Sequence, residues 1–298
     1  MPMRLLHLSD IHFGGRADIQ VVEGLEAELP YLRTDAIIVS GDLCQRARHG
    51  EFQRARAFVA RAARWAPVYV LPGNHDVSWW WRPLGPLGRP LLYRKYRRYF
   101  GADLTPTLTL PGLAIIAGAL TSDGAAWGSL SGHWRDLAAQ GHLPKSEYLR
   151  VRRVFAETSP DLVRVLVVHH NVVRGELSGC AGLAHGRRAL RRIVASGADV
   201  VLCGHDHREA AHLVGEHVVV STANTLSARV RGGRPASFNL VSIDKGAVTV
   251  TFHRWEGTST LFQPAAPIVF TLARSRAYDE GREQGSGGYD VPGGDRPY

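Results

Sequence analysis

Short apolar runs alternate with amphipathic stretches through the first third of the chain. Residues 3–8, 35–39 and 67–71 are apolar runs of strand length, and each leads into a polar or Gly-containing loop. Between them, residues 18–29 and 51–64 carry apolar side chains at helical spacing, which predicts two helices. A strand that is apolar throughout is typical of a parallel sheet covered on both faces. The pattern therefore predicts parallel strands joined by right-handed helical crossovers.

The same alternation continues to about residue 203. Residues 113–120, 163–168 and 199–203 are further predicted strands. Residues 145–157 and 186–196 have the apolar periodicity of helices. The predicted order of elements is thus strand and helix in turn, as in an α/β fold.

The pattern changes in the last third of the chain. Residues 216–221, 237–243 and 248–255 alternate apolar and polar side chains between turn residues, which predicts antiparallel strands. The composition then becomes polar and Gly-rich, which predicts a disordered tail over residues 273–298. We expect residues 1–272 to form one domain.

The composition of the chain indicates which binding partners and which cellular compartment to expect. The 298 residues carry a formal net charge of +9 and a pI of about 9.9, which favours anionic partners such as phosphate esters, nucleic acid or acidic lipids. There is no run of eighteen or more apolar residues, so no membrane-spanning helix is expected. Cys44, Cys180 and Cys203 are odd in number and widely spaced, which disfavours a disulfide framework. These features, with no signal-peptide pattern at the N-terminus, predict a cytoplasmic protein.

Side chains that can bind metals follow five of the predicted strands. They are Asp10 and His12, then Asp42, then Asn74 with His75 and Asp76, then His169 with His170, and finally His205 with His207. In an open α/β sheet, ligands gather beyond the carboxyl ends of the strands, where these residues fall. Imidazole, carboxylate and amide oxygen together suit manganese, iron or zinc. The sequence therefore predicts a metal site.

In chain order the motifs are D-x-H, G-D, G-N-H-D, H-x-x and G-H-x-H, over roughly residues 4–207. This ordered set resembles the calcineurin-like metallophosphoesterase superfamily. The resemblance implies an α/β protein, a four-layer α/β/β/α sandwich with two facing mixed sheets. It also implies a dinuclear metal site at the carboxyl ends of the strands.

The resemblance assigns the ligands residue by residue. Two divalent or trivalent ions (manganese, iron or zinc) would each have three ligands of their own: Asp10, His12 and His207 for one, and Asn74, His169 and His205 for the other. Asp42 would bridge them, because its two oxygens can bind separate ions. The family often has Pro where this chain has Asn171, which leaves His169 and His170 open as the fourth-motif ligand. We favour His169, the first His of the family's H-x-P pattern.

The implied reaction is hydrolysis of a phosphodiester by in-line attack of a metal-bridging hydroxide on phosphorus. His75 is not an implied ligand, and it would protonate the leaving oxygen or stabilise the transition state. Asp76 would orient His75 as an outer carboxylate. Every implied ligand position is filled, which argues against a non-catalytic scaffold on the same fold.

The substrate is less well defined by the sequence. The short chain and the His169–His170 pair most resemble the bacterial class III cyclic-nucleotide phosphodiesterase branch. A lipid-headgroup pyrophosphatase or phosphodiesterase and a nuclease of the DNA-repair type are the alternatives. We expect a small phosphodiester as the partner, and nucleic acid is not favoured.

Residues 77–106 interrupt the strand–helix rhythm. Three tryptophans at positions 79–81 precede a Pro- and Gly-rich loop and a basic helix over residues 91–100. We predict that this segment lies over the site, where tryptophan can stack on a base. Through residues 79–98 it could also meet an acidic membrane surface. The alternative is a helix with Leu92, Tyr96 and Tyr99 in the core and a solvated basic face.

Overall fold

The computed structural model describes residues 2–77, 92–122, 140–173, 182–215 and 217–272. The tryptophans at positions 79–81, Cys180 and the predicted tail over residues 273–298 lie outside the described residues. The role predicted for the tryptophans therefore stays a prediction, as does disorder of the tail.

The first sheet contains strands from the first and the last parts of the described chain. In spatial order its strands are β12 (Leu261–Pro264), β11 (Ala247–Glu256), β10 (Ser237–Asp244), β1 (Met3–Leu8), β2 (Ala36–Val39) and β3 (Val68–Val70), and β13 (Ile268–Thr271) also pairs with β11. β1, β2 and β3 are parallel, whereas β10 runs antiparallel to β1. The sheet is therefore mixed.

The second sheet contains six strands from the middle of the chain. In spatial order they are β4 (Thr107–Leu110), β5 (Ala114–Gly118), β6 (Val163–Val167), β7 (Val200–Cys203), β9 (Val218–Thr222) and β8 (Ala210–Val214). The four central strands are parallel, and the two edge strands are antiparallel to their neighbours. This sheet is also mixed.

The described residues include five helices. They are α1 (Ile19–Leu32), α2 (His49–Ala62), α3 (Arg94–Phe100), α4 (Lys145–Ala156) and α5 (Gly186–Val194). None of the helices in the described ranges is both long and apolar enough to cross a membrane.

Three buried clusters separate four layers. Alternate side chains of β1 enter different clusters, because successive residues of a strand point to opposite faces. Leu5 packs between the two sheets, whereas Leu6 and Leu8 pack against α1 and α2. A third cluster lies between the second sheet and α4 and α5. The predicted α/β/β/α sandwich with two facing mixed sheets is confirmed.

The last third of the chain differs from the prediction in one strand. β9 was expected to alternate and to pair antiparallel, but all five of its residues are buried. It pairs parallel with β7 on one side and antiparallel with β8 on the other. A strand with neighbours on both sides and layers on both faces has no solvent face to carry polar residues. The short strands β4, β8, β12 and β13 were not predicted.

Helix α1 begins one residue later and ends three residues later than predicted. Asp18 is its N-cap, and the side chain accepts a hydrogen bond from the backbone N–H of Val21 at 3.4 Å. Ile19, one of the apolar residues in the predicted helix, is 51% exposed, whereas Val21 is buried. The helix continues through Pro30 to Leu32, which is buried.

Helix α3 packs on α2. Tyr96 is buried, and its ring centroid lies 6.4 Å from that of Phe52 in α2. Lys95 Nζ donates to the carbonyl of Ala47 at 2.9 Å. These contacts agree with the interpretation that placed Tyr96 in the core. Whether residues 77–106 cover the site stays a prediction, because residues 78–91 lie outside the described part of the chain.

Cys44 and Cys203 are buried free thiols, in agreement with the expected absence of a disulfide framework among the described residues. The cytoplasmic location stays a prediction, as do the single domain over residues 1–272 and contact with nucleic acid or a membrane surface.

Candidate metal centre

The loops at the carboxyl ends of five strands, three from the first sheet and two from the second, meet at one place. They bring together all seven predicted metal ligands: Asp10 and His12 after β1, Asp42 after β2, Asn74 after β3, His169 after β6, and His205 and His207 after β7. Each of these residues is at most 7% exposed. Buried charged and polar groups need partners or a metal ion, so their convergence calls for a chemical explanation.

The first group of donor atoms comes from Asp10, His12 and His207. His207 Nε2 lies 3.1 Å from Asp10 Oδ1 and 3.1 Å from His12 Nε2. His12 Nε2 lies 3.6 Å from Asp10 Oδ1. One carboxylate oxygen and two imidazole nitrogens therefore face a common point, as ligands of one ion do.

The second group comes from Asn74, His169 and His205. Asn74 Oδ1 lies 3.0 Å from His169 Nε2 and 3.1 Å from His205 Nδ1. Here an amide oxygen and two imidazole nitrogens converge. The neutral ligand Asn74 leaves this position with less negative charge than the first.

Asp42 lies between the two groups. Its Oδ2 is 3.8 Å from His12 Nε2, and its Oδ1 is 3.3 Å from His169 Nε2. The two oxygens of one carboxylate thus face different groups. This is the arrangement that a bridging ligand requires.

Two outer contacts fix the orientation of ligand imidazoles. His169 Nδ1 is 2.9 Å from the carbonyl of Ser40, and His207 Nδ1 is 2.7 Å from the carbonyl of Arg229. A carbonyl only accepts hydrogen bonds, so Nδ1 carries a proton in both rings, and Nε2 is the nitrogen that remains to bind a metal ion. Asp10 Oδ1 and His12 Nδ1 are buried without a hydrogen-bond partner among the described residues. The donor set, with the buried acceptor of Asp10, fits metal ions.

Backbone strain is concentrated at the same residues. Five of the seven predicted ligands have a positive φ: Asp10 (55°), His12 (53°), Asp42 (53°), His205 (71°) and His207 (54°). A non-Gly residue in this region costs about 1–3 kcal/mol and persists only where the surroundings enforce it. The tertiary contacts therefore hold these loops in conformations that aim the donor atoms inward.

The electrostatics of the centre follow from buried carboxylates among imidazoles. Burial alone would raise the pKa of Asp42, but the facing His169 and His75 outweigh it and hold that pKa well below its usual range. Burial alone would lower the pKa of His169, but Asp42 raises it to about 9. His205, whose burial dominates, has its pKa lowered to about 3. The centre therefore keeps its carboxylates ionised, ready for cations.

Comparison with known proteins identifies the family. Residues 3–209 match the model of a family described as calcineurin-like phosphoesterase. The chain belongs to this family. Its members are metal-dependent phosphoesterases, and the clusters described above are groups that could hold the metal ions.

One curated relative matches this chain over a short region. The glycerophosphodiester phosphodiesterase GpdQ of Enterobacter lignolyticus (strain SCF1) is 37% identical over 89 residues. The match covers 25% of this chain and 30% of that protein. The chain thus spans less than a third of the length of this relative.

Two solved structures share the fold. The purple acid phosphatase PPD1 of yellow lupin superposes with a TM-score of 0.66 at 11% identity, over 91% of this chain and 54% of that chain. A dimetal phosphatase from Danio rerio superposes with a TM-score of 0.65 at 12% identity, over 92% of this chain and 100% of that chain. At such low identity the likeness concerns the fold alone.

His75 lies beside the two groups of donor atoms. Its Nδ1 is 2.8 Å from the backbone carbonyl of Gln45, and its Nε2 is 3.3 Å from Nη1 of Arg229. Its ring meets the ring of His12 edge-on, with centroids 4.9 Å apart. The role predicted for His75 stays a prediction, and its position beside the candidate ligands agrees with it.

Asp76 joins two loops of the centre. Its carboxylate accepts hydrogen bonds from the backbone N–H groups of Leu43 (3.1 Å), Cys44 (2.8 Å) and Gly73 (2.9 Å). Burial and the nearby Asp42 raise its pKa to about 7. The carboxylate therefore ties the loop after β3 to the loop after β2. The carbonyl of Gln45 contacts Nδ1 of His75, and the orienting role predicted for Asp76 stays a prediction.

The structure places His169 and His170 differently. Nε2 of His169 faces both Asn74 and Asp42. His170 directs Nδ1 to Thr121 Oγ1 at 2.9 Å, and its buried Nε2 has no hydrogen-bond partner among the described residues. Donor atoms of His169, His170 and His205 also form one compact group. We retain His169 as the predicted ligand, because only its ring meets the bridging candidate and Asn74.

Sequence reasoning missed the loop after β9. Thr225 Oγ1 donates to the carbonyl of Asp10 at 2.6 Å, and Arg229 supplies a carbonyl to His207 and a guanidinium to His75. No hydrophobic run ends at these residues, and no motif contains them. Only the basic composition of the loop could have drawn attention to it.

Replacing Gly73 by alanine is expected to disturb the centre. A Cβ at this position would overlap Oδ1 and the backbone N of Asp42. We expect Gly73→Ala to lower the free energy of unfolding by about 1–3 kcal/mol, the usual effect of overpacking, and to reduce the bound metal. Denaturant unfolding and elemental analysis measure the two effects.

The matched control is Gly50→Ala in α2, where an added Cβ meets nothing within 4 Å. This variant is expected to gain about 0.4–1 kcal/mol in the free energy of unfolding, because the unfolded chain loses conformational freedom. Equal stability and equal metal content in the two variants would refute the proposed contact between Gly73 and Asp42.

Proposed function

We propose that this chain is a dinuclear-metal-dependent phosphodiesterase acting on small phosphodiesters. The observation that carries the proposal is the position of Asp42, whose two oxygens face two separate groups of metal-type donors at 3.8 Å and 3.3 Å. A site for a single metal ion would need donors on one side of this carboxylate only. Here a second group, made of one amide oxygen and two imidazole nitrogens, lies on its other side. The proposed ligands are the seven residues described above.

The charge of such a centre suits an anionic substrate. Two divalent ions carry four positive charges, and the two carboxylates of Asp10 and Asp42 neutralise two of them. About two positive charges remain for the phosphodiester and the attacking nucleophile. When bound, the two ions activate water and stabilise the entering and leaving oxygens of an in-line displacement.

The residues of the chain supply orientation and proton handling. The carbonyls of Ser40 and Arg229 hold the tautomers of His169 and His207, so their Nε2 atoms stay directed at the centre. His75 is held through Nδ1 by the carbonyl of Gln45, and its Nε2 is the nitrogen proposed to act on the leaving oxygen.

Two sources support a small phosphodiester as substrate. The matched bacterial relative is named a glycerophosphodiester phosphodiesterase. The motifs resemble the cyclic-nucleotide branch of the family, as set out above. We therefore propose glycerophosphodiesters and cyclic nucleotides as the first substrates to test. Nucleic acid and pyrophosphate-linked lipids serve as the comparison classes.

The test combines metal analysis with a substrate panel. We expect about two equivalents of manganese, iron or zinc in the purified protein, and loss of activity when a chelator removes them. The panel compares bis(p-nitrophenyl) phosphate, p-nitrophenyl phosphate, a cyclic nucleotide, glycerophosphocholine, single-stranded DNA and a nucleoside-diphosphate lipid. Higher kcat/KM for the monoester than for every diester would refute the phosphodiesterase proposal. A folded protein that binds no metal and hydrolyses nothing would support the scaffold alternative.

A further inference from the structure

Arg229 connects two functional parts of the centre. Its backbone carbonyl accepts a hydrogen bond from His207 Nδ1 at 2.7 Å, and its side-chain Nη1 lies 3.3 Å from Nε2 of His75. The guanidinium is half-buried. One residue therefore reaches a candidate metal ligand through its backbone and the candidate acid through its side chain.

The loop that carries Arg229 is fastened to the loop that carries Asp10 and His12. Ser227 pairs with Ala17 in an antiparallel bridge, and the N–H of Ala228 donates to the carbonyl of Arg16 at 2.9 Å. The hydroxyl of Ser227 accepts from the N–H of Arg229 at 3.2 Å. These bonds fix the backbone at position 229, so the guanidinium starts from a defined point beside the centre.

The hydrogen bonds define the protonation of His75. The backbone carbonyl of Gln45 can only accept, so Nδ1 at 2.8 Å carries the proton. Nε2 is then the acceptor for the guanidinium of Arg229, which can only donate. In this contact the guanidinium faces a neutral nitrogen acceptor. An anionic oxygen beside the centre would be a stronger acceptor for it.

A phosphodiester anion supplies that acceptor. Hydrogen bonds from guanidinium to phosphoryl oxygen are charge-assisted and stronger than those to a neutral imidazole. The guanidinium lies beside the centre, because the imidazole of His75 that it contacts meets the ring of the candidate ligand His12 edge-on, with centroids 4.9 Å apart. Among the described residues Arg229 forms no salt bridge with a carboxylate that would hold it elsewhere.

We propose that Arg229 is a substrate-binding residue: its guanidinium binds a non-bridging oxygen of the phosphodiester in place of the imidazole nitrogen of His75. The inference rests on the proposed phosphodiesterase function and deepens it. It predicts that the site recognises the phosphoryl anion through this chain's own cation in addition to metal ions.

The test compares Arg229→Gln with Arg16→Gln in the metal-loaded protein. Arg16 is the matched control, because its charge acts on Arg229 but none of its described contacts reaches His75. We expect Arg229→Gln to raise the KM for bis(p-nitrophenyl) phosphate and the Kd for inorganic phosphate by about 10- to 100-fold, the usual range for a hydrogen bond to a charged group. Arg16→Gln is expected to change both only slightly. Arg229→Lys is expected to recover part of the loss.

A double variant separates phosphoryl binding from support of His75. In the His75→Asn background, Arg229→Gln is still expected to weaken phosphate binding to the same degree, because the contact with phosphate does not depend on the imidazole. If the loss disappears in that background, or if Arg229→Gln and Arg16→Gln weaken phosphate binding equally, the proposal is overturned. Calorimetry with inorganic phosphate measures these affinities whether or not the protein is an active enzyme. A wild-type protein that hydrolyses no phosphodiester would therefore count against the proposed function and leave the test of Arg229 intact.

Unchanged thermal midpoints and metal content show that a variant is folded and loaded. The carbonyl that holds His207 belongs to the backbone and remains after any side-chain replacement at position 229. Loss of metal in Arg229→Gln and Arg229→Lys alike would mean that the side chain supports the centre itself, and this result would also overturn the proposal.

Discussion

Asp42→Asn is expected to lose both metal ions and essentially all activity. The replacement keeps the size of the side chain but removes the charge and one of the two oxygens that face the two donor groups. Paired ions contribute several kcal/mol to transition-state stabilisation. Since each 1.36 kcal/mol is a factor of ten, kcat/KM should fall by about 10⁴-fold or more. Elemental analysis and steady-state kinetics on a phosphodiester measure the two losses.

The matched control for this prediction is Asp206→Asn. Asp206 is a buried carboxylate between two predicted ligands, His205 and His207, but it is not one of the converging donor groups. This variant is expected to keep two equivalents of metal. The bridging role of Asp42 is wrong if Asp42→Asn also keeps two equivalents.

His75→Asn is expected to separate metal binding from chemistry. The ring contacts Gln45, Arg229 and His12. Its donor atom lies close to those of His12 and Asp42, but His75 is not one of the seven predicted ligands. We therefore expect the variant to keep its metal ions while kcat falls by roughly 10²–10⁴-fold, the usual contribution of a general acid. The loss should shrink for leaving groups of low pKa, which depart without a proton. A series of aryl phosphodiesters measures this dependence.

An equal loss across all leaving groups would mean that His75 stabilises the phosphoryl oxygens and donates no proton. His49→Asn is a suitable control, because His49 contacts the hydroxyl of Tyr99 at 3.0 Å near the surface, away from the donor groups. That variant is expected to show wild-type kcat with every leaving group.

Much of the centre could be predicted because its donors follow buried strands directly in the sequence. Asp10 lies two residues after the end of β1, and His205 lies two residues after the end of β7. A strand that is apolar on both faces is typical of the centre of a parallel sheet. In this class of fold, ligands bind beyond the carboxyl ends of such strands. Residue type and distance from the strand end were therefore sufficient to predict a metal site, and the resemblance to the family assigned its individual ligands.

The sequence by itself determined the central strands, the crossover helices and the chemical type of the donor atoms, because these depend on short-range patterns of burial. Only the tertiary structure decided which loops touch. Asp76 bonds to N–H groups 32 and 33 residues away, and Arg229 reaches a histidine 154 residues away. It also decided that β9 lies parallel to β7. Such contacts depend on the packing of two sheets against each other, and no local pattern records which distant loops that packing brings together.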